Sequence, residues 1–576
     1  MDQSSQPAAR EWLYRPADAL PGAPQGALVG KRFAVKDNID VARWPTTAAC
    51  PAFAYTPAEH ATVVHRLLQA GAALVGKTNL DQFACGLNGT RSPHGAVPNA
   101  FNPDYVSGGS SAGSAHVVAT GQVDFSLGTD TAGSGRVPAG LNNIVGFKPS
   151  KGWLSTRGVV PAARTVDCVS VFARTVPQAW AAVQAAARFD PSDACSRELQ
   201  MQATPLPAGV RVGIPAKPEF FGDAQAAAAW QEALDRLGML GATAVAIDDT
   251  ALSEAADLLY GSALVAERYQ AIRAFFDAHE SEVIEPVRSI IAAGRNYSAA
   301  DLFDAQERLR ELARRVEPMW QTIDVLMVPT APTHYRIDEM LADPVVLNRN
   351  LGRYTNFVNL LDYAAISVPS SIRADGLPFG ITLIAPAGGD ARLAQLAARY
   401  HAHCDLPLGA TSMRLSAEEA QWSPFPLIQA QATVQVAVVG AHLSGMPLNG
   451  QLTEREATLL RSTRTAPDYR LFALPNTTPP KPGLLRVAPG TGHGIALEIW
   501  EMPVAHFGSF VALIPEPLGI GTLRLEDGST VQGFLCEPIA LEGATDISHL
   551  GGWRSYIASQ QPLSSPPKPI KTRTIE

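Results

Sequence analysis

Apolar and polar positions along this chain repeat in two manners, and the manner changes near residue 420. Thr62-Val63-Val64-His65-Arg66-Leu67-Leu68-Gln69-Ala70-Gly71 spaces its apolar residues three and four apart, which predicts an amphipathic helix with a glycine stop. Ala73-Leu74-Val75-Gly76 follows as a short buried strand. The runs 325–329 and 379–384 read as further buried strands, and an Ala- and Arg-rich helical stretch covers roughly 252–317. Strands separated by helices predict an α/β domain, with a central mixed β-sheet flanked by helices, over 1–420. QWSPFPLIQAQAT, at 421–433, breaks the pattern; its prolines and glutamines read as a linker. Beyond it the runs 434–439, 484–487, 494–500 and 531–535 are strand-like and punctuated by Pro and Gly. They predict a small α+β or barrel-like domain over 434–560. The tail, 561–576, is Pro-rich and basic and reads as disordered.

Composition narrows the class. A chain of 576 residues exceeds one ordinary core, in keeping with two domains. An apolar fraction of 46% with 17% charged residues is that of a soluble globular protein. The net charge of −8 argues against a broad nucleic-acid surface. No apolar run reaches the roughly 18 residues of a membrane span. The start, MDQSSQPAAREW, lacks the basic and apolar regions of a signal peptide. Six cysteines are scattered with no C-x-x-C pair, so neither a zinc knuckle nor a disulfide framework is indicated. These features together predict a protein of the reducing cytoplasm that binds neither nucleic acid nor membrane.

Candidate chemistry is concentrated in SGGSSAGSAHVVATGQVDFSLGTDTAGSGR, from Ser107 to Arg136. It holds two Gly-flanked serines, Ser110 and Ser134, 24 residues apart. Lys36 lies upstream, at the end of the apolar run in FAVKDN. A serine is a nucleophile when a base sits beside it, and a buried neutral lysine can be that base. Small residues before Ser134 leave successive N–H groups free to point one way, as an oxyanion hole requires. Each residue also has a plainer reading: a Gly-rich turn at Ser134, a flexible loop at Ser110, a solvated lysine at Lys36. Gly109-Ser110-Ser111-Ala112-Gly113 also fits G-x-S-x-G, the nucleophile elbow, with Ser111 as nucleophile. That motif needs a strand before it, and NPDYVS is a poor one.

AVKDNID, SGGSSAGSA, GTDTAGSGRVPA, GFKPSKGWLSTRGVVP, VPTAP and ISVPSS, in this order over about residues 25–405, resemble the amidase signature family. The resemblance implies a Ser–cis-Ser–Lys triad: Lys36 as base, Ser110 as relay and Ser134 as nucleophile, with a cis peptide at Gly109-Ser110. It implies an oxyanion hole from the N–H groups of Thr131, Ala132, Gly133 and Ser134. The loop from Phe83 to Thr90, with Gly86, should line the substrate site, with Cys85 as a small wall residue. The segment LLYGSALVAERY is similar to the substrate-recognition segment of the allophanate hydrolase subfamily, which assigns Tyr260 and Arg268 to the substrate's carboxylate and urea groups. Here Ser262-Ala263-Leu264 replaces the usual Gly-Pro-Trp.

VAVVGAHLSG, GHGIALEIWEMP and GFLCEP resemble the extra C-terminal domain of that subfamily, which is similar in fold to gamma-glutamyl cyclotransferases. There His442 and His493 are candidate bases for decarboxylation, or the domain serves assembly alone. The resemblance implies hydrolysis of urea-1-carboxylate (allophanate) to N-carboxycarbamate and ammonia, followed by decarboxylation. It implies no metal, biotin or nucleotide cofactor, a biotin-dependent urea carboxylase as supplier of substrate, and a homodimer. An amidase for another small carboxylated or aliphatic amide, and a non-catalytic scaffold subunit, are the alternatives at this point.

Overall fold

A computed structural model describes residues 10–207, 209–425 and 433–560. The chain divides into two compact units, Met1–Pro426 and Leu427–Glu576.

The first unit is built on an eleven-stranded sheet. Its strands are β1 (Trp12–Tyr14), β2 (Arg32–Lys36), β3 (Ala73–Thr78), β4 (Phe125–Asp130), β5 (Val145–Lys148), β6 (Cys168–Ala173), β7 (Arg211–Pro215), β8 (Thr243–Ile247), β9 (Val325–Pro329), β10 (Tyr363–Ile372) and β11 (Pro378–Pro386). They lie in the order β1-β3-β2-β4-β6-β5-β10-β11-β9-β7-β8. β2 runs parallel to β3 and β4, and β7 parallel to β8 and β9, while the centre is antiparallel, so the sheet is mixed. β4, β5, β6 and β9 are buried at every position. That is why they read as short apolar runs rather than alternating ones: helices cover both faces, and neither side needs polar residues.

The helix foreseen at 62–71 spans Thr62–Gln69, buries Val63, Val64 and Leu67, and stops two residues short of Gly71. The long stretch 252–317 is not one helix. It is broken into Thr250–Gly261, Ala266–His279, Val287–Ala292 and Ala299–Val316 with short 3-10 turns between. Ser262 makes the first break: its side chain caps the next turn by accepting from Leu264 N. In the segment read as a linker, Trp422 and Phe425 pack on the main core, Trp422 against Trp180 with ring centroids 6.4 Å apart. Residues 426–432 and the tail 561–576 lie outside the described residues.

The second unit holds β12 (Thr433–Val438), β13 (Thr458–Arg464), β14 (Tyr469–Ala473), β15 (Pro482–Arg486), β16 (Ala496–Pro503), β17 (Leu518–Arg524), β18 (Thr530–Cys536) and β19 (Thr545–Asp546). A five-stranded sheet, β13-β16-β12-β18-β17, and a three-stranded one, β15-β14-β19, enclose a separate apolar core around Val436, Tyr469, Ile499 and Phe510.

Candidate active site

Lys36 is the last residue of β2, between β3 and β4, and is fully buried. Its Nζ donates to Ser110 Oγ and to Thr129 Oγ1, each at 2.7 Å. Burial pushes the ammonium down to about 7, against the opposing pull of Asp81, Asp167 and Asp130 and with the help of Arg268. A solvated lysine at this position is therefore ruled out. Ser110 precedes the helix Ala112–Ala119, and the Gly109–Ser110 peptide is cis. Gly109 is required there: a Cβ would lie 2.2 Å from Asp81 Oδ2. Asp81 is buried and ties down the opposite loop, accepting from Asn88 N (3.3 Å), Gly89 N (3.1 Å) and Arg91 N (2.9 Å). Ser111, the elbow alternative, donates to Thr129 O at 3.1 Å and is fully buried, so its hydroxyl is spent on the backbone.

Ser134 sits in the loop between β4 and the helix Val137–Leu141. Its Oγ donates to Gly86 O at 3.4 Å, and among the described residues no hydrogen bond joins it to Ser110. The loop is held by a buried ion pair: Arg136 Nε donates to Asp130 Oδ2 (2.9 Å) and Nη2 to Asp130 Oδ1 (3.0 Å). Asp130 also accepts from Gly133 N (2.9 Å) and Gly135 N (3.0 Å). This corrects one expectation. The Gly133 N–H, expected in an oxyanion hole, is committed to Asp130, because the carboxylate that anchors Arg136 lies directly behind it. Among the described residues no hydrogen bond engages the N–H groups of Thr131, Ala132 or Ser134, which remain available. Gly133 itself has φ +138°, and a Cβ there would lie 2.3 Å from Thr355 Oγ1.

Tyr260 and Arg268 meet: Arg268 Nη2 donates to Tyr260 OH at 3.0 Å, with the guanidinium 4.9 Å from the ring centroid. They do so across two helices and a 3-10 turn, not along one helix face. Tyr260 packs on the cluster that holds Leu87 and Ala132, the latter two residues before Ser134. Arg268 is 3% exposed, yet among the described residues its Nε and Nη1 have no hydrogen-bond partner. A buried guanidinium with N–H donors left unspent on two of its edges suits an anionic ligand. Cys85 is buried, and its carbonyl accepts from Arg91 Nη1 at 2.9 Å.

The two histidines of the second unit do not meet. His442 lines a cleft of about 240 Å³ with Gln451, Lys481 and Phe534, bonds Gln451 Oε1 through Nε2 (2.9 Å) and stacks on Phe534 at 5.0 Å. Burial lowers its basicity. His493 is outside that lining; it forms a β-bridge with Tyr469, its N–H donating to Tyr469 O at 2.7 Å. Of the two candidate bases, only His442 lines this cleft.

Comparison with known proteins decides the family. The amidase family model matches residues 4–394, and that of the allophanate hydrolase C-terminal domain matches residues 434–558. The chain belongs to the amidase family. It carries the domain architecture of allophanate hydrolases, an amidase domain followed by the allophanate hydrolase C-terminal domain. It is 44% identical over 582 residues to the urea amidolyase of Lachancea kluyveri, covering 98% of this chain and 32% of that protein. The amidase thus spans about a third of the length of the urea amidolyases it matches. The selenomethionine-substituted allophanate hydrolase of Kluyveromyces lactis matches at 42% identity with a TM-score of 0.70, covering 97% of this chain and 95% of that one. A glutamyl-tRNA(Gln) amidotransferase subunit from Symbiobacterium thermophilum is 34% identical over 412 residues, covering 65% of this amidase and 83% of that protein.

Several residues that shape the site were missed from the sequence: Asp81, Thr129, Asp130 with Arg136, and Asp167. Thr129, Asp130 and Arg136 stand inside the GTDTAGSGR motif, and charged residues bracketing a glycine run were the available signal. Asp81 and Asp167 carry no local signal, since each bonds mainly backbone N–H groups, which any residue type supplies.

Proposed function

We propose that this amidase hydrolyses allophanate through Lys36, Ser110 and Ser134. The carrying observation is the pair of unspent, buried donors on Arg268, which suits the carboxylate of a small planar acid amide. Arg268 and Tyr260 hold the carboxylate end, and Gly86 borders the reacting carbonyl. Neutral Lys36 takes a proton from Ser110, and Ser110 takes one from Ser134 as that hydroxyl turns away from Gly86 O. Ser134 Oγ attacks the amide carbon, and the N–H groups of Thr131, Ala132 and Ser134 receive the oxyanion. The relay then protonates the leaving amine, ammonia departs, and water cleaves the acyl-enzyme by the same route, leaving N-carboxycarbamate. Decarboxylation follows, with His442 as the acid–base group of the second unit.

A biotin-dependent urea carboxylase acts upstream as supplier of the substrate, in the cytoplasm, and the enzyme works as a homodimer. The six cysteines are all unpaired, in keeping with a reducing compartment. Purified protein should release ammonia from allophanate, and Ser134→Ala should abolish that release. Turnover of simple aliphatic amides with none of allophanate would overturn the substrate assignment.

A further inference from the structure

Asp167 belongs to neither the triad nor the substrate anchors, yet it stands where three limbs of the site join. It ends the loop that leads into β6 and is 7% exposed. Its Oδ1 accepts from Thr131 Oγ1 at 2.6 Å, and its Oδ2 accepts from Ala162 N (2.9 Å) and Ala163 N (3.2 Å). All of these donors are neutral, so the carboxylate is buried without a directly bonded cation.

The same loop is tied to the rest of the site at each turn. Val160 N donates to Asn38 O (2.8 Å), two residues from Lys36, and Asn38 Nδ2 returns a bond to Val160 O (3.1 Å). Thr165 N and Oγ1 donate to the two oxygens of Glu267 (2.7 and 2.8 Å), the neighbour of Arg268. Asn359 Nδ2 bridges Val166 O (2.8 Å) and Asp130 O (2.7 Å). A chain of hydrogen bonds thus runs from the substrate anchor, through the loop, to the nucleophile strand, and Asp167 is its link to Thr131.

We infer that Asp167 is a positioning residue for the amide hydrolysis, holding the Thr131 end of the oxyanion loop in register with Lys36 and the Arg268 helix. This rests on the reading of Ser134 and Lys36 given above. An ionised carboxylate suits the task because every partner is a donor. Its charge has a second effect. Lys36 faces Asp81, Asp130, Asp167 and Arg268, and Asp167 is one of the groups that favour its protonated form. Burial in turn pushes Asp167 up to about 6, so it is ionised over the working range of a base that titrates near 7.

The test uses the full chain and two readouts: ammonia release from allophanate, and the rate at which phenylmethanesulfonyl fluoride sulfonylates Ser134. Asp167→Asn should lower both rates by about tenfold or more, the scale of a misplaced oxyanion donor. It should also move the acid limb of the sulfonylation rate down by roughly half a pH unit, because a negative charge beside Lys36 is gone. A merely structural role would leave that limb in place. Thr131→Val, at pH 8.5, should lose about tenfold in both rates, and Thr131→Ser should recover to within about threefold. An unmoved limb in Asp167→Asn, or Thr131→Val within twofold of the parent, would overturn the inference. Should Asp167→Asn not fold, the two Thr131 variants decide it. The sulfonylation rates do not depend on which amide is cleaved. A parent enzyme that is sulfonylated but leaves allophanate intact therefore counts against that substrate, not against Asp167.

Discussion

Lowering the pH from 8 to 6 should reduce kcat/KM about tenfold, because it protonates Lys36. In the folded chain this lysine is fully buried and titrates near 7. About nine-tenths of it is then neutral at pH 8, half at pH 7 and about one-tenth at pH 6. An ordinary lysine near 10.5 would instead be about 0.3% neutral at pH 8 and would drive a rise of about tenfold per unit up to pH 10. The assay is initial ammonia release at substrate well below KM, from pH 5.5 to 10, since kcat/KM reports the free enzyme. A plateau above pH 8 is expected; a rate still climbing at pH 9–10 would refute the buried-base reasoning. The same shift sets a stability trend, and its sign is definite. The folded pKa lies below the unfolded one, so between pH 7 and 10.5 the unfolded chain binds more protons and stability rises with pH across that window. At pH 7 the burial of this charge costs about 4 kcal/mol relative to high pH. Lys36→Met should therefore abolish turnover yet resist urea better than the parent, with an advantage that shrinks from pH 7 to pH 10.

Arg268→Ala should mainly raise KM for allophanate, by about ten- to a hundredfold for the loss of a charge-assisted pair worth roughly 1.5–3 kcal/mol. An unchanged KM in Michaelis–Menten runs would remove Arg268 from the pocket. His442→Ala should leave release of the first ammonia intact and slow the second, which a time course of ammonia yield per allophanate resolves; equal slowing of both phases would deny the second unit its separate step.

Much of the fold was written locally. The helix at Thr62 and the strands at Val325 and Phe379 follow from apolar spacing and glycine or proline stops, because one covered face selects one period. The helical region after Thr250 was legible in kind but not in its breaks. Ser262 ends one helix and caps the next turn, and no apolar period reports that. The motifs within Ser107–Arg136, with Lys36 upstream, were enough to carry the family resemblance that implies the triad, since each motif is contiguous or nearly so. They could not show that Lys36 is buried. Phe33 to Lys36 reads alike whether one face of β2 or both are covered, and only packing between β3 and β4 settles it.

The residues of the sequence determined by themselves the two units and the motifs whose resemblance points to Lys36, Ser110, Ser134, Tyr260 and Arg268. Tertiary structure alone decided the electrostatics and the allocation of donors. Gly133's N–H is spent on Asp130, Arg268 keeps two donors in reserve, His493 is outside the cleft that His442 lines, and the loop ending at Asp167 joins Asn38, Thr131 and Glu267. The physical reason is common to all four. A motif lists which groups a site owns, but a pKa or a free hydrogen bond depends on what lies within a few ångströms, and those neighbours come from elsewhere in the chain.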